Sequence, residues 1–195
     1  MQQKTLIILK PDCVKRGLVG EVIARFEKVG LKIVAMKMAT ATKEQLQKHY
    51  PLDDQNWIGK VGQKSLDNFV ENGLDVQKYL GSEDTLEIGT KIVNNLVEFM
   101  LHAPVIILCL EGPDAVAMCR KLIGSTLPCN SPLGSIRGDY SLDNPVLANM
   151  QNRTIHNLIH GSETVADAQK ELQIWFPEQD FAWFDYSETI YTKNY

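Results

Sequence analysis

The sequence predicts an α/β (α+β) fold: a ferredoxin-like two-layer sandwich with a four-stranded antiparallel sheet and helices. Three observations carry this. Apolar runs of strand length alternate with segments of helical spacing, in the order β-α-β-α, a polar stretch, α-β-α, a loop, then β-α. The composition is that of a globular chain: 195 residues, 44% hydrophobic, 23% charged, with 20 basic and 24 acidic residues for a net charge of −4. There is no internal repeat and no low-complexity tract. Length alone suggests about 1.3 domains, read here as one domain over 1–195 with insertions at about 51–90 and 140–156.

The elements follow in order. Thr5–Leu9 is a short apolar run closed by Pro11, the pattern of a buried strand. Val19, Val22, Ile23, Phe26 and Val29 recur at helical spacing, and Gly30 ends that helix. Leu31–Ala41 holds a second strand, with Ile33–Met36 bracketed by Lys32 and Lys37. Thr42 and Gln45 form a capping-box pattern that opens a short helix to Tyr50. Pro51 to about Thr90 is polar and contains several glycines; loops with one or two short helices are expected. Helical spacing returns over Lys91–Leu101, a third strand over Val105–Leu110, and a helix over Pro113–Ile123. Ser125–Gln151 reads as a long loop, Asn157–His160 as a brief fourth strand, and Val165–Ile174 as a last helix. From Pro177 the tail carries Phe181, Trp183, Phe184 and Tyr186.

Charge excludes a binder that relies on net basicity, so no specific nucleic acid is expected. Any anionic ligand must meet a local positive field. The longest strongly apolar run, Ala103–Leu110, is far short of the roughly 20 residues of a membrane span, so no membrane partner is expected. Cys13, Cys109, Cys119 and Cys129 show no CxxC spacing and read as free thiols, as in a cytoplasmic protein.

The sharpest local feature is Asn157-Leu-Ile-His-Gly-Ser162. Its histidine ends a strand, and a neutral imidazole is a nucleophile. A structural histidine is the ordinary alternative. His156 and His160 also have H-x-x-x-H spacing, but the zinc protease motif needs Glu where Asn157 stands, and the segment reads as strand. Gly59–Ser65 lacks the glycine spacing and the preceding strand of a phosphate loop. Phosphate could instead be held by discrete cations: Lys10 after the first strand, Arg120 before Gly124-Ser-Thr126, and Arg137 in Ser135-Ile-Arg-Gly-Asp139.

Taken together, six segments resemble the nucleoside diphosphate kinases in that family's order. They are Leu6-Ile-Ile-Leu-Lys-Pro-Asp12, Arg16-Gly-Leu-Val-Gly-Glu21, Lys48-His-Tyr50, Gly124-Ser-Thr126, Ser135–Asp139 and Asn157–Ser162, the last followed by Ala168-Gln-Lys-Glu171. The resemblance implies exchange of the γ-phosphate between nucleoside tri- and diphosphates by a ping-pong mechanism. His160 would carry the phosphoryl group, and Glu171 would hold its other ring nitrogen, supported by Ser162. Lys10, Tyr50, Arg120, Thr126, Arg137 and Asn157 match the family's nucleotide- and phosphate-side residues. Mg2+ would arrive on the nucleotide phosphates, with no metal ligand from the protein. The family's usual assembly implies a homo-oligomer, a hexamer or tetramer built on a dimer.

The base contact is open at this stage. Trp57 follows Tyr50 at nearly the family distance, whereas counting back from Leu96, an apolar base contact, puts Ile92 there. Cys13, Leu127 and His156 stand where the family usually has glycine, asparagine and arginine. Two other classes are a nucleotide-binding protein without activity and a zinc hydrolase at His156 and His160.

Overall fold

The computed structural model describes residues 2–177. Four strands, β1 (Gln2–Leu9), β2 (Lys32–Ala39), β3 (Val105–Pro113) and β4 (Ile159–Gly161), form one sheet in the order β2-β3-β1-β4. Every neighbouring pair is antiparallel. Central β1 pairs with β3 along its whole length, from Gln2 opposite Pro113 to Leu9 opposite Ile106. Edge strand β4 is short and sets His160 opposite Ile8.

Both faces of the sheet are covered, which is why β1 and β3 read as continuous apolar runs rather than alternating ones. Ile7, Leu9, Ile106, Leu108 and Leu110 face a core closed by α2 (Val19–Glu27) and α7 (Ala115–Ile123) through Val22, Phe26, Cys119 and Ile123. Leu6, Ile8, Val105 and Ile107 face a second core. It is closed by α3 (Lys43–His49), α6 (Thr85–Leu101) and α10 (Val165–Trp175), through Leu46, Met100, Leu172 and Trp175. The capping box at Thr42 forms as expected: Gln45 N–H donates to the Thr42 hydroxyl and Thr42 N–H to the Gln45 side chain.

Two stretches are more ordered than their composition suggests. Within 51–90, α4 (Gln55–Glu71) is a helix of 17 residues, followed by short α5 (Val76–Tyr79). Helix α6 also has 17 residues and starts at Thr85, six positions before its apolar spacing becomes visible. The glycines that suggested loops serve helix contact instead. A Cβ at Gly62 would lie 1.8 Å from the Thr85 carbonyl oxygen, and one at Gly89 would lie 2.0 Å from that of Ile58. Only a missing side chain lets α4 and α6 approach so closely.

The stretch 125–151 is not one loop. It holds a 3-10 turn (Pro128–Asn130), α8 (Ile136–Tyr140) and α9 (Pro145–Met150). Val146 of α9 packs with Phe69, Leu80 and Ile88 in a small third core, so α9 rests on the α4–α6 pair. Another short helix, α1 (Pro11–Lys15), follows β1. Strand β3 runs on to Pro113, and α7 starts only after left-handed Asp114. The aromatic tail Phe181–Tyr186 lies outside the described residues. No helix among the described residues is long and apolar enough to cross a membrane.

Candidate active site

The site lies where β1 ends beside β4. His160 leaves β4 with Nε2 2.9 Å from Glu171 Oε1 on α10. A carboxylate only accepts, so Nε2 carries the ring proton and Nδ1 keeps its lone pair. The second carboxylate oxygen accepts from Ser162 Oγ at 2.6 Å, and Ser162 Oγ accepts in turn from the Leu6 backbone N–H at 3.2 Å. The His160–Glu171–Ser162 chain is thus fixed to the sheet itself. Burial works to neutralise Glu171, but the hydrogen bonds from His160 and Ser162 oppose it, and its carboxyl is held below the ordinary range.

Beneath this chain sits His49, the last residue of α3. Its ring meets His160 edge-on, centroids 4.6 Å apart, and Trp175 Nε1 donates to its Nδ1 at 3.3 Å. Burial, then the neighbouring His160, push the His49 pKa down to about 3, so it stays neutral. Tyr50 packs edge-on against His49 at 4.7 Å. Burial, then Glu171, push its phenol up, so it remains a neutral hydroxyl.

The cations converge from other elements. Lys10, 7% exposed, donates from Nζ to Asn157 Oδ1 at 2.7 Å. Burial and Arg137 push its pKa down to about 8, against the opposing charge of Asp12. Asn157 in turn donates from Nδ2 to the Thr126 carbonyl at 2.9 Å. Arg137, 4% exposed, donates from Nε to the Asn157 carbonyl at 3.0 Å, from Nη2 to that of Ile159 at 2.5 Å, and from Nη1 to that of Ser125 at 2.9 Å. Burial and then Arg120 on α7 push its pKa down to about 10, which leaves it cationic at neutral pH. Distance along the chain between Arg137 and His160 is bridged by a clasp. Asp143 accepts both Nη groups of Arg153 and the backbone N–H of His156, and Ser141 Oγ donates to the His156 carbonyl.

The backbone between Asn157 and His160 is unusual. Leu158 is fully buried with φ +67°, and Ile159 N–H donates to the Asn157 carbonyl at 2.8 Å across it. This is a tight three-residue turn with the central residue left-handed, a conformation that costs a non-glycine residue roughly 1–3 kcal/mol. It sits two residues before His160.

Of the residues expected from the sequence, His160, Glu171 and Ser162 form one hydrogen-bonded chain. Lys10, Asn157, Arg137 and the Thr126 carbonyl form a second, and Arg120 acts on Arg137 electrostatically. Leu96 packs with Tyr50 against the second core, and Ile92 packs in the third. Trp57 lies half-buried in the first turn of α4. Sequence reasoning passed over His49, Asp12 and Trp175. His49 stands inside the quoted Lys48-His-Tyr50 segment, and Asp12 inside Lys10-Pro-Asp12; Trp175 lies one residue past the expected helix end.

Zinc at His156 and His160 finds no support. His156 stacks on Phe99, centroids 5.0 Å apart, and its segment is not helical. Among the described residues the one group with metal-ligating atoms close together is His49, His160 and Glu171, within 4.8 Å. Its atoms are already matched as donors and acceptors: His49 Nδ1 takes the Trp175 proton and Glu171 takes those of His160 and Ser162.

A histidine held through one ring nitrogen by a carboxylate, on the segment that two buried cations also grip, is an arrangement suited to phosphoryl transfer. The family model described as nucleoside diphosphate kinase matches residues 3–73 and 85–181. The chain belongs to the nucleoside diphosphate kinase family. It is similar to the nucleoside diphosphate kinase of Pyrobaculum aerophilum, 46% identical over 178 residues that cover 91% of this chain and 97% of that one. The enzyme of the same name from Borreliella burgdorferi is 35% identical, covering 91% and 89%. Among solved structures, the Pyrobaculum aerophilum NDP kinase superposes with a TM-score of 0.87 at 44% identity, covering 94% of this chain and all of that one. The Borrelia burgdorferi enzyme, solved as a transition-state mimic with bound vanadate and ADP, gives 0.74 at 33% identity, covering 96% and 95%. This chain is a nucleoside diphosphate kinase by activity, a transferase of nucleotide metabolism.

Proposed function

We propose that His160 carries the phosphoryl group in a ping-pong exchange between nucleoside tri- and diphosphates. The observation that carries this is the 2.9 Å bond from His160 Nε2 to Glu171, which leaves Nδ1 as the nucleophile. In the first half-reaction the Nδ1 lone pair attacks the γ-phosphorus. The bond from phosphorus to the β-bridging oxygen breaks, and the diphosphate leaves with that electron pair. The Nε2 proton stays on the ring, so Glu171 accepts the same hydrogen bond before and after. In the second half-reaction a different diphosphate attacks phosphorus and Nδ1 regains its lone pair.

Little covalent help is needed in such a transfer; positioning and charge neutralisation do the work. Lys10 and Arg137 supply the charge, Arg120 and the Thr126 hydroxyl add donors, and Asn157 and Lys10 also suit the ribose hydroxyls. Tyr50 is a neutral hydroxyl beside the phosphate. Mg2+ enters with the nucleotide, coordinated by its phosphates. The base lies along α6 against Leu96, with Ile92 or Trp57 as the stacking partner.

The chain acts as one domain over 1–195, with 51–90 and 140–156 added around the site. It works in the cytoplasm as a homo-oligomer, a tetramer or hexamer built on a dimer. Met36 and Met38, 58% and 60% exposed on edge strand β2, support an apolar contact between copies.

The test is direct. Incubation with γ-labelled ATP should leave acid-labile, alkali-stable label on the protein, absent from His160→Ala. Label and exchange at the native rate in that variant would sink the mechanism. Lys10→Ala and Arg137→Ala should each lower kcat by about 10²–10³; an unchanged rate in both removes them from the site.

A further inference from the structure

We propose that Asp12 is a positioning residue with two separable effects: its carboxylate pins the left-handed Leu158 turn that aims His160, and its charge balances those of buried Lys10 and Arg137. The inference rests on the phosphate-site reading above and goes beyond it, because Asp12 is not a phosphate ligand there.

Geometry supports the first effect. Asp12, 6% exposed in α1, accepts the Leu158 backbone N–H through Oδ2 at 2.9 Å. Two residues earlier, Lys10 donates its own N–H to the Leu158 carbonyl at 2.8 Å. Leu158 is therefore gripped on both sides by the Lys10–Asp12 segment. A left-handed leucine persists only when its surroundings over-determine it, and these two bonds, with the turn bond from Ile159, do so. Releasing Leu158 would turn the chain that leads into His160.

Charge supports the second. Asp12 accepts from the N–H, and Arg137 donates to the carbonyl, of the one peptide that joins Asn157 to Leu158, while Lys10 holds the Asn157 side chain. Lys10 and Arg137 are both buried and repel each other, and Asp12 favours the charged form of both. The other groups that face them among the described residues are Asn157 beside Lys10, neutral His49 from α3, and Arg120 from α7. Asp12 Oδ1 is buried and has no hydrogen-bond partner among the described residues.

The free oxygen makes the two effects separable. Asp12→Asn keeps an oxygen for the Leu158 N–H, places its amide where no partner is lost, and removes the charge. Asp12→Ala removes both. Across pH 6–9, kcat/KM of the free enzyme reports the Lys10 titration as an alkaline limb. Asp12 raises the Lys10 pKa, so Asp12→Asn should move that limb down by about half a pH unit or more. Lys10→Arg, whatever its rate, should abolish the limb and so assign it. At pH 6.5, Asp12→Ala should lower kcat about tenfold below Asp12→Asn, with faster hydrogen exchange at the Leu158 amide. A merely structural aspartate would not move the limb.

A limb unmoved in Asp12→Asn overturns the charge effect, and equal kcat in the Asn and Ala variants overturns the turn effect. If Asp12→Ala does not fold, Asp12→Glu decides the turn, because it keeps the charge and displaces the carboxylate: faster Leu158 amide exchange with kcat below that of Asp12→Asn supports the turn effect, and parent-like exchange and kcat overturn it. Phosphohistidine labelling of the parent protein runs alongside. Label with no Asp12 effect sinks this inference alone; no label sinks the phosphate-site reading.

Discussion

A buried imidazole can be kept silent by its surroundings, and His49 is one, in edge-on contact with His160. His160 keeps its side chain 23% accessible, while that of His49 is 1% accessible. Burial makes a charged His49 costly, and Trp175 fills its acceptor. Were His49 protonated it would compete for Glu171 Oε1, 3.7 Å away, and loosen His160. The sign for stability follows from linkage. The folded pKa of about 3 lies below the ordinary 6.5, so between these values the unfolded chain binds a proton that the folded chain refuses. Stability should fall as pH drops from 6.5 towards 3, by up to roughly 1.4 kcal/mol per unit from this group. Glu171, with its folded pKa held down, contributes stability above pH 4.5 that is lost below it, so pH 5–6.5 isolates His49. Urea unfolding of His49→Gln should show a flatter acid slope there; a slope equal to the parent's would mean His49 titrates normally in the fold.

At the scale of elements, α4 and α6 are set by the glycines at their contact. A methyl at position 89 meets the Ile58 backbone oxygen, which no rotamer can move aside. Gly89→Ala gains about 1 kcal/mol of intrinsic helix preference, yet overpacking should win and leave a net loss of about 1–3 kcal/mol. The urea midpoint measures it, and a stabilised variant would show that the helices can part freely. Because Leu96 and Phe99 lie on the same helix, the variant should also raise nucleotide KM more than it lowers kcat. By contrast, at Gly59 a Cβ meets nothing within 4 Å, and alanine there should be neutral or stabilising.

For the molecule as a whole, the site depends on a crossing of distant segments. Strand β1 brings Lys10, β4 brings His160, α10 brings Glu171 and α8 brings Arg137. The clasp of Asp143 on Arg153 and His156 closes the long path from Arg137 to Asn157. Asp143→Ala takes the carboxylate from the partly buried Arg153 guanidinium, which keeps the Thr154 carbonyl, and leaves the His156 N–H without its acceptor, a loss of about 1–3 kcal/mol. It should also lower kcat severalfold, since Asn157 and His160 follow directly. Thermal unfolding and steady-state kinetics on one preparation test both; a lowered Tm with native kcat would make the clasp structural only.

Much of this was legible in the chain itself. Continuous apolar runs at Thr5–Leu9 and Val105–Leu110 determined two buried central strands, because a strand covered on both faces needs no polar alternation. Helical spacing determined α2, α7 and α10, and the capping residues marked α3. The ordered motifs around Lys10, Arg137 and His160 determined the family and its enzyme activity. What local pattern could not carry were features made by contact between distant segments. The glycines of α4 and α6 resemble loop glycines until the partner helix is in view. His49 has no distinguishing neighbours along the chain, and its neutrality comes from burial against Trp175. Asp12 and Leu158 are far apart in sequence, and only packing of α1 against the β4 approach joins carboxylate to amide. The sequence by itself determined which chemical groups are present and which elements carry them; tertiary structure alone decided their burial, mutual distance and protonation, because those depend on what excludes water and which charge lies nearby.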